Sequence, residues 1–245
     1  MNKMGSFKTA GTKDKIFIIC DYALLIFVCL IVIFPLMYVV SASFSDPSAV
    51  VNGKVWIWPV NPTLKGYQAV FKNPKIWTGF LNSFFYVIVG TTINIVVTVA
   101  CAYPLSRKEL RGRRIINFFF IFTMYFAGGM IPDYILINKL GMLEKMSALV
   151  LPLAFSAYNL VIMKNSLESS IPDSLVESAV IDGANHYTIL GKIIIPLSKP
   201  ILATLALFIG VGKWNDWFTG AYYQSKAALY PAATVLQKIL SEATA

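Results

Sequence analysis

The sequence is constrained above all by long apolar runs that alternate with polar connections. The first run covers residues 16–40 and carries one charged residue, Asp21, near its start. A helix of roughly 20 apolar residues crosses the hydrocarbon core of a bilayer, so this run is long enough to span it. Later runs of similar character lie at about residues 80–103, from 115 onwards, at 146–163 and at 201–217. The pattern predicts an all-α, polytopic membrane protein with five spans.

The composition favours a membrane protein over a soluble one. Charged residues make up 13% of the chain and hydrophobic residues 57%, whereas a soluble domain carries about 25% charged residues. A soluble all-helical protein with an unusual core is the alternative, and the length of the apolar runs disfavours it. The formal net charge of +9 does not indicate nucleic acid binding, because the basic residues cluster at the ends of apolar runs, as topology signals do.

The N-terminal region has two interpretations. Lysines precede the first run within residues 1–15, and a signal peptide also begins basic and turns apolar, with residues 41–43 resembling a cleavage site. The apolar region of a signal peptide is about 7–15 residues long, which is shorter than this run. We therefore predict a cytoplasmic N-terminus (1–15), a retained first transmembrane helix (16–44) and an external loop (45–79).

The orientation of the later segments follows from a cluster of basic side chains. They lie in one short loop after the second run: Arg107, Lys108, Arg111, Arg113 and Arg114. An excess of Lys and Arg marks the cytoplasmic side of a membrane protein. Counting spans from this loop puts the polar segment between the fourth and fifth runs, residues 171–200, on the same side. The chain is thus predicted to be a multi-pass protein with this segment in the cytoplasm.

The polar segment has the pattern of two short helices joined by a turn. Ser170 and Asp173 have the spacing of a capping box, which predicts a first helix that continues to residue 181. Gly183 is suited to bending the chain there, and a second helix over about 185–193 is predicted to end before Pro196. The residue pattern alone leaves two functions open: a helix that docks in a groove of a partner protein, or a solvated interfacial loop.

The polar segment also resembles the EAA loop of the permease subunits of binding-protein-dependent ABC importers. That pattern is Glu-Ala-Ala, three residues, Gly, nine residues, Ile, any residue, Leu, Pro. The segment keeps this spacing, with Ser for the second-position Ala and Ile for Leu: Glu177, Ser178, Ala179, Gly183, Ile193, Ile195 and Pro196. The segment as a whole resembles the carbohydrate branch of the family and is similar to the smaller maltose-type permease subunit.

The resemblance implies a type I ABC importer permease fold in the inner or plasma membrane of a prokaryote, with a permease core over residues 80–245. It implies a second homologous permease, two cytoplasmic ATPase subunits, an external solute-binding protein and a sugar, which we expect to be an oligosaccharide. Permeases of this branch usually have six spans. Five spans therefore imply that the C-terminal span is missing from this sequence.

The resemblance also assigns roles within the segment. The ATPase subunits would bind it, and their closure on ATP would pull the spans from an inward-facing to an outward-facing arrangement until hydrolysis resets them. Glu177 would be the polar contact and Ala179 the packing face. Gly183 would form the elbow and Pro196 would lead the chain back into the membrane, with Asp182 also at the docking surface.

The sequence predicts neither catalysis nor cofactor binding by this chain. Each Gly-Lys pair is followed by a residue other than Ser or Thr, so there is no P-loop of the form GxxxxGK[ST]. The cysteines lack CxxC spacing and His186 is the one histidine, which leaves little material for a metal or nucleophilic site. We expect ATP and Mg²⁺ to bind the partner ATPase. The alternative, an ATP-independent transporter or a membrane enzyme, predicts inward-facing ionisable groups within the spans, and the sequence shows very few.

Three residues are candidates for a substrate path. Asn94 lies in the second run, where polar residues more often hydrogen bond between helices than line a path. Trp214 and Asn215 lie near the outer end of the fifth run. An aromatic ring beside polar groups suits a sugar, although anchoring at the membrane interface is the preferred interpretation.

Overall fold

The computed structural model describes residues 11–244, which form helices and loops without a β-strand. The all-α prediction is therefore confirmed for this part of the chain. Lys3 and Lys8, two of the lysines on which the predicted orientation of the N-terminus depends, lie outside the described residues. The chain divides into two compact units, Met1–Asn73 and Pro74–Ala245.

One long helix, α1 (Thr12–Ser43), dominates the first unit and contains the whole first apolar run. Its side chains are nearly all exposed, and a helix that is apolar all round is typical of a membrane span. Two short helices follow, α2 (Pro47–Val51) and α3 (Lys65–Lys72). Asp46 caps α2 by accepting a hydrogen bond of 3.2 Å from Ser48 N, which satisfies one of the free N–H groups at the start of that helix.

The second unit contains the helices that follow in the chain. They are α4 (Pro74–Ser106), α5 (Arg113–Tyr125), α6 (Met130–Lys139), α7 (Ser147–Val150), α8 (Ala157–Ser170), α9 (Asp173–Ile181), α10 (His186–Ile189), a π-helical turn (Leu190–Ile194), α11 (Ile195–Leu197), α12 (Lys199–Asn215), α13 (Phe218–Tyr223), a 3₁₀ turn (Ala227–Leu229) and α14 (Ala232–Thr244).

Helix α4 is central to the second unit, because α8, α12 and α14 all pack against it. The core consists of fully buried aliphatic side chains, among them Leu160, Met163 and Leu167 on α8 and Leu205 on α12. Such close packing, rather than escape from water, is what holds helices together inside a membrane. The core continues into the polar segment through Val176, Ile189 and Ile194.

Asn94, in the middle of α4, hydrogen bonds within the protein. Its Nδ2 donates to Leu153 O at 3.0 Å, and its Oδ1 accepts from Thr98 Oγ1 at 3.2 Å. Buried polar groups in a bilayer need protein partners of this kind, since no water is available there. The geometry supports the interpretation of Asn94 as a residue that joins α4 to the chain that precedes α8.

Within the described chain, two helices, α1 and α4, are long and apolar enough to cross a membrane. The number rises to four if each of two bent pairs is one span: α5 with α6, bent by 111°, and His186–Leu197 with α12, bent by 78°. The first bend falls beside Gly129, whose φ is +91°. The third apolar run is therefore broken at Gly128-Gly129, and Pro132 lies inside α6.

The fourth apolar run differs from its prediction. The sequence predicts one span over residues 146–163, but α7 ends at Val150 and α8 begins at Ala157. Pro152 lacks the N–H that a continuing helix needs, and Ser156 starts α8 by accepting a hydrogen bond of 3.4 Å from Asn159 N. A single unbroken helix at this position is therefore wrong.

Candidate functional site

The polar segment at residues 171–200, which we call the elbow loop, begins at α9 without the predicted capping box. Ser170 is the last residue of α8, and Pro172 is the N-cap of α9, with no hydrogen bond from a side chain to the cap. A residue before proline is restricted to extended backbone, and Ile171 has φ −121° and ψ 103°. Helix α8 therefore ends at Ser170, this residue does not cap α9, and the capping-box prediction is wrong.

Gly183 forms the turn that the sequence predicts. Its φ is +80°, in the left-handed region that favours glycine. Gly183 N donates to Val180 O at 3.0 Å, and Ala184 N donates to Ala179 O at 2.9 Å. These two bonds are the pair that defines a Schellman motif, and they satisfy the last carbonyl groups of α9. The elbow at Gly183 is thus confirmed as a fixed backbone turn.

The second half of the elbow loop is helical for longer than predicted. Asn185 caps α10 by accepting a hydrogen bond of 2.8 Å from Thr188 N. The chain then passes through the π-helical turn into α11, where Pro196 occupies one of the first two positions. Proline is tolerated at a helix start because that N–H needs no partner. The prediction that the second helix ends before Pro196 is therefore wrong.

The motif residues divide between two faces of the elbow loop. Ala179 and Ile193 are half-buried and pack against the core. The other motif residues are exposed, as is Asp182 beside them: Glu177, Ser178, Asp182, Gly183, Ile195 and Pro196. The sequence did not single out two large side chains beside them, Ile181 and Tyr187, which are 85% and 87% exposed. The loop thus has one face fixed to the protein and one mixed polar and apolar face left open.

An ion cluster attaches the start of the elbow loop to the end of α4. Asp173 Oδ2 accepts a hydrogen bond of 2.7 Å from Lys108 Nζ, and Asp173 Oδ1 lies 3.7 Å from a terminal nitrogen of the buried Arg107. The hydrogen bond from Lys108, followed by its charge, lowers the pKa of the Asp173 carboxyl from its ordinary value. The same contact raises the pKa of the Lys108 ammonium.

The cluster was missed at the level of sequence, where Arg107 and Lys108 serve only as a topology signal. No local pattern connects residues so far apart in the chain. A further link joins Tyr103 Oη and His186 Nδ1 at 3.1 Å. A groove of about 1060 Å³ opens between the end of α4 and the elbow loop, and its lining includes Tyr103, Arg107, Asp173, Glu177 and His186.

A second cavity, of about 520 Å³, lies between α4, α8 and α12. It brings together two of the three residues predicted for a substrate path, Asn94 and Asn215, and adds Asn159, Lys213 and Asp216. Trp214 faces elsewhere, and its ring packs against Phe84 and Phe80 with centroids 5.3 and 6.1 Å away. The assignment of a substrate path to these residues stays a prediction.

Lys213 is the residue of this cavity that the sequence reading missed. It lies in the last turn of α12, and its Nζ is buried without a hydrogen-bond partner among the described residues. An ionisable residue in an apolar membrane helix is itself a signal of function. That signal was present in the sequence at Lys213, at the end of the fifth apolar run.

Comparisons with known proteins agree with this architecture. Residues 71–241 match the family described as binding-protein-dependent transport system inner membrane component. The chain is 38% identical over 228 residues to the polygalacturonan/rhamnogalacturonan transport system permease protein of Bacillus subtilis, covering 93% of this chain and 79% of that protein. It is 27% identical over 215 residues to the diacetylchitobiose uptake system permease of Streptomyces coelicolor, covering 86% and 70%.

A solved structure is similar over nearly the whole chain. It is the crystal structure of a bacterial ABC transporter involved in the import of the acidic polysaccharide alginate. One chain of that structure matches this protein with a TM-score of 0.89 and 34% identity, and the match covers 95% of this chain and 83% of that one. Family, relatives and fold agree with one another. The chain therefore belongs to the family of binding-protein-dependent transport system inner membrane components, the permease subunits of ABC importers.

Proposed function

We propose that this permease moves an oligosaccharide, delivered by an external solute-binding protein, across the inner membrane of a prokaryote. Support comes from relatives whose names specify saccharides: polygalacturonan or rhamnogalacturonan, diacetylchitobiose and, in the solved structure, alginate. A cavity of about 520 Å³ with three asparagine side chains suits such a solute, because each amide both donates and accepts hydrogen bonds.

The same proposal assigns the elbow loop to an ATPase subunit in the cytoplasm. The observation that carries this assignment is the two-sided construction of the loop. Val176, Ile189 and Ile194 are buried in the core, while Glu177 and Tyr187 on the other side are exposed. A partner that moves this open face displaces the whole elbow loop and, with the loop, the helices against which it packs.

The ion cluster extends this coupling to the central helix. Asp173 is the first residue of α9, and its two basic partners follow directly after the last residue of α4. A push on α9 therefore reaches α4 through charged contacts as well as through the core. In this arrangement the N-terminus and the basic loop are cytoplasmic, and a second permease subunit, similar to this one, completes the pathway. ATP and Mg²⁺ bind the two ATPase subunits.

Co-purification tests the docking assignment. We expect the affinity-tagged permease, extracted in detergent with the other subunits of its transporter, to retain the ATPase, and Glu177→Ala to reduce that retention. Glu177 has an exposed carboxylate on α9, so the change removes a contact for the partner while leaving the core intact. Retention is measured as the ratio of ATPase to permease in the eluate.

Glu242→Ala is the matched control, because Glu242 is an exposed carboxylate on α14, away from the elbow loop. It should leave the ratio of ATPase to permease unchanged. Equal retention of the ATPase by the wild-type chain and by Glu177→Ala would refute the assignment of the elbow loop.

A further inference from the structure

We propose that Lys213 selects for a negatively charged saccharide in the cavity between α4, α8 and α12. This inference rests on the proposed function and makes it more specific, since it names the charge of the solute and the side chain that recognises this charge. The solute class is a sugar that carries carboxylate groups. Its carboxylate would form an ion pair with the Lys213 ammonium, while the amides of Asn159 and Asn215 in the same cavity bind its hydroxyl groups.

The first argument is that the Lys213 ammonium makes no direct hydrogen bond to any of the described residues. Lys213 is the cation that lines this cavity, and its Nζ is buried with no hydrogen-bond partner in the described part of the chain. Leaving a buried charge without a partner is strongly unfavourable, and in membrane helices such residues mark substrate or ion pathways. An anion that enters the cavity would supply the missing partner.

Asp216 is the carboxylate that lines the same cavity, and its hydrogen bond is made elsewhere. Asp216 Oδ1 accepts from Thr219 N at 3.0 Å, in the first turn of α13, which begins at Phe218. Asp216 thus fixes the end of the cavity. Its charge lowers the net charge of the site, so the selection depends on the direct contact of the solute with Lys213.

The second argument is the space that the side chain of Lys213 occupies. A Cβ atom placed on Gly90 of α4 would lie 2.5 Å from Lys213 Cε and 2.8 Å from its Nζ. The end of the lysine side chain therefore rests on the bare backbone of α4, one helical turn from Asn94. Its aliphatic stem has several rotatable bonds, so the ammonium can leave this resting place and reach a solute without any movement of the backbone.

The third argument is the chemistry of the remaining lining. Asn94, Asn159 and Asn215 provide uncharged amides, and an amide can both donate a hydrogen bond to a hydroxyl and accept one from it. Amides alone do not distinguish a neutral sugar from an acidic one. Among the residues that line this cavity, Lys213 is the one that makes the distinction, because its charge favours a carboxylate over a hydroxyl.

The test uses the complete importer in proteoliposomes, with its second permease, ATPase subunits and binding protein. ATP-dependent uptake is measured for acidic trisaccharides, trigalacturonate and trimannuronate, and for their neutral methyl esters. Three variants are compared with the wild type: Lys213→Met, Lys213→Arg and, as control, Lys139→Met. Lys139 is exposed in the last turn of α6, so its change alters the net charge of the chain equally without touching the cavity.

We expect the wild-type importer to prefer an acidic trisaccharide to its ester. Lys213→Met should lower kcat/KM for the acidic sugar about tenfold or more, the effect of losing one charged hydrogen bond. Uptake of the ester should fall much less than uptake of the acid, because the ester has no carboxylate for Lys213 to pair with, and the remaining uptake shows that the variant is folded and coupled. Lys213→Arg should keep most of the preference, and Lys139→Met all of it.

Three results would overturn the inference. Lys213→Met could lower uptake of acid and ester equally, which would make Lys213 a structural residue. It could leave both unchanged, or the wild type could prefer the esters. In each of these cases ATP-dependent saccharide import continues in the wild type and the proposed function survives. Absence of ATP-dependent uptake of every saccharide by the wild type would refute the proposed function and this inference together.

Discussion

Lys108 Nζ donates a hydrogen bond of 2.7 Å to Asp173 Oδ2, although the two residues are 65 positions apart in the chain. The contact joins the end of the central helix α4 to the first turn of α9. Both side chains are partly exposed, so the contact adds little to the stability of the fold. Its value lies in position, because it connects the elbow loop to α4, the helix against which α8, α12 and α14 pack.

The first prediction concerns Asp173→Asn. The change removes the negative charge that faces Lys108 and the buried Arg107, while the size of the side chain is kept. We expect the ATPase to remain bound, because the exposed face of the elbow loop is untouched, and ATP-dependent uptake by the complete importer to fall by a factor of several. Both quantities are measured on the same proteoliposomes.

A charge reversal separates this role from simple damage. Lys108→Asp combined with Asp173→Lys restores one attractive pair, so the double variant should transport better than either single variant, as a coupled pair does in a double-mutant cycle. Glu109→Gln, an exposed carboxylate of the same loop, serves as control and should behave as the wild type. Additive losses in the double variant would argue against the connection.

The pH dependence of this contact is the second prediction. Asp173 has a lowered pKa in the folded chain, so its contribution is fully present above the ordinary aspartate pKa of 3.8 and is lost as the pH falls through the lowered value. Lys108 has a raised pKa, so its contribution is present below 10.5 and is lost as the pH rises through the raised value. Around neutral pH the contact is insensitive to pH.

The measurement is the midpoint of thermal unfolding of the purified permease, wild type against Asp173→Asn, as a function of pH. Because both side chains are partly exposed, the difference between the two should be small. It should be constant around neutrality and should disappear as the pH falls below the ordinary aspartate pKa and through the lowered value. A difference that changes steeply between pH 6 and 8, roughly the range in which histidine titrates, would assign the effect to another group.

Gly183→Ala is the third prediction. Gly183 has a φ of +80° and open space around it, so an added methyl group meets no neighbour and the whole cost is backbone strain. Left-handed backbone costs an alanine roughly 1 kcal/mol. We expect a loss of that size in the stability of the elbow loop, seen as faster amide hydrogen exchange at Ala184, with weaker retention of the ATPase.

Gly191→Ala is the matched control for this experiment. Gly191 also lies in the elbow loop with open space around it, but its φ is ordinary and its backbone is helical. Alanine is favoured over glycine in a helix by up to about 1 kcal/mol. The control should therefore leave hydrogen exchange unchanged or slower, and equal losses in the two variants would contradict the role of the turn.

Local chemistry explains which features the sequence was able to predict. The apolar runs in α1 and α4 are each long enough to span a bilayer as a helix. Gly183 is the residue type that its left-handed turn requires. The start of α9 was predicted incorrectly because two local signals compete at Ser170. Pro172 restricts Ile171 to extended backbone, and this restriction outweighs the capping-box spacing.

Other features depend on contacts between distant residues and could not be read from local patterns. The pairing of Lys108 with Asp173 and the position of Lys213 over Gly90 exist only after α4 packs against its neighbours. The fourth apolar run is a related case. Its composition predicts a span, whereas the tertiary bond from Asn94 to Leu153 O stabilises the irregular segment between α7 and α8.

The fourth prediction tests the core of the second unit. Leu167 on α8 is 1% exposed, and Leu167→Ala leaves a cavity that the packed neighbours cannot fill. The expected loss of unfolding free energy is about 3 kcal/mol, measured by denaturation of the purified permease in detergent. Leu207→Ala removes the same atoms from a side chain that is 62% exposed, and its effect should stay within about 0.5 kcal/mol.

The fifth prediction separates the two interpretations of Asn94. This side chain is 3% exposed and joins Thr98 on its own helix to Leu153 O. Asn94→Ala leaves a buried carbonyl and a buried hydroxyl without this partner, which costs roughly 1–3 kcal/mol for an unsatisfied group. Unfolding in detergent should show this loss, while Thr92→Ala, an exposed neighbour whose hydroxyl bonds to Ile88 O of the same helix, should show almost none. If Asn94→Ala instead kept its stability and raised KM for the transported saccharide, Asn94 would be a residue of the substrate path, and its bonds to Thr98 and Leu153 would serve to orient its amide toward the solute.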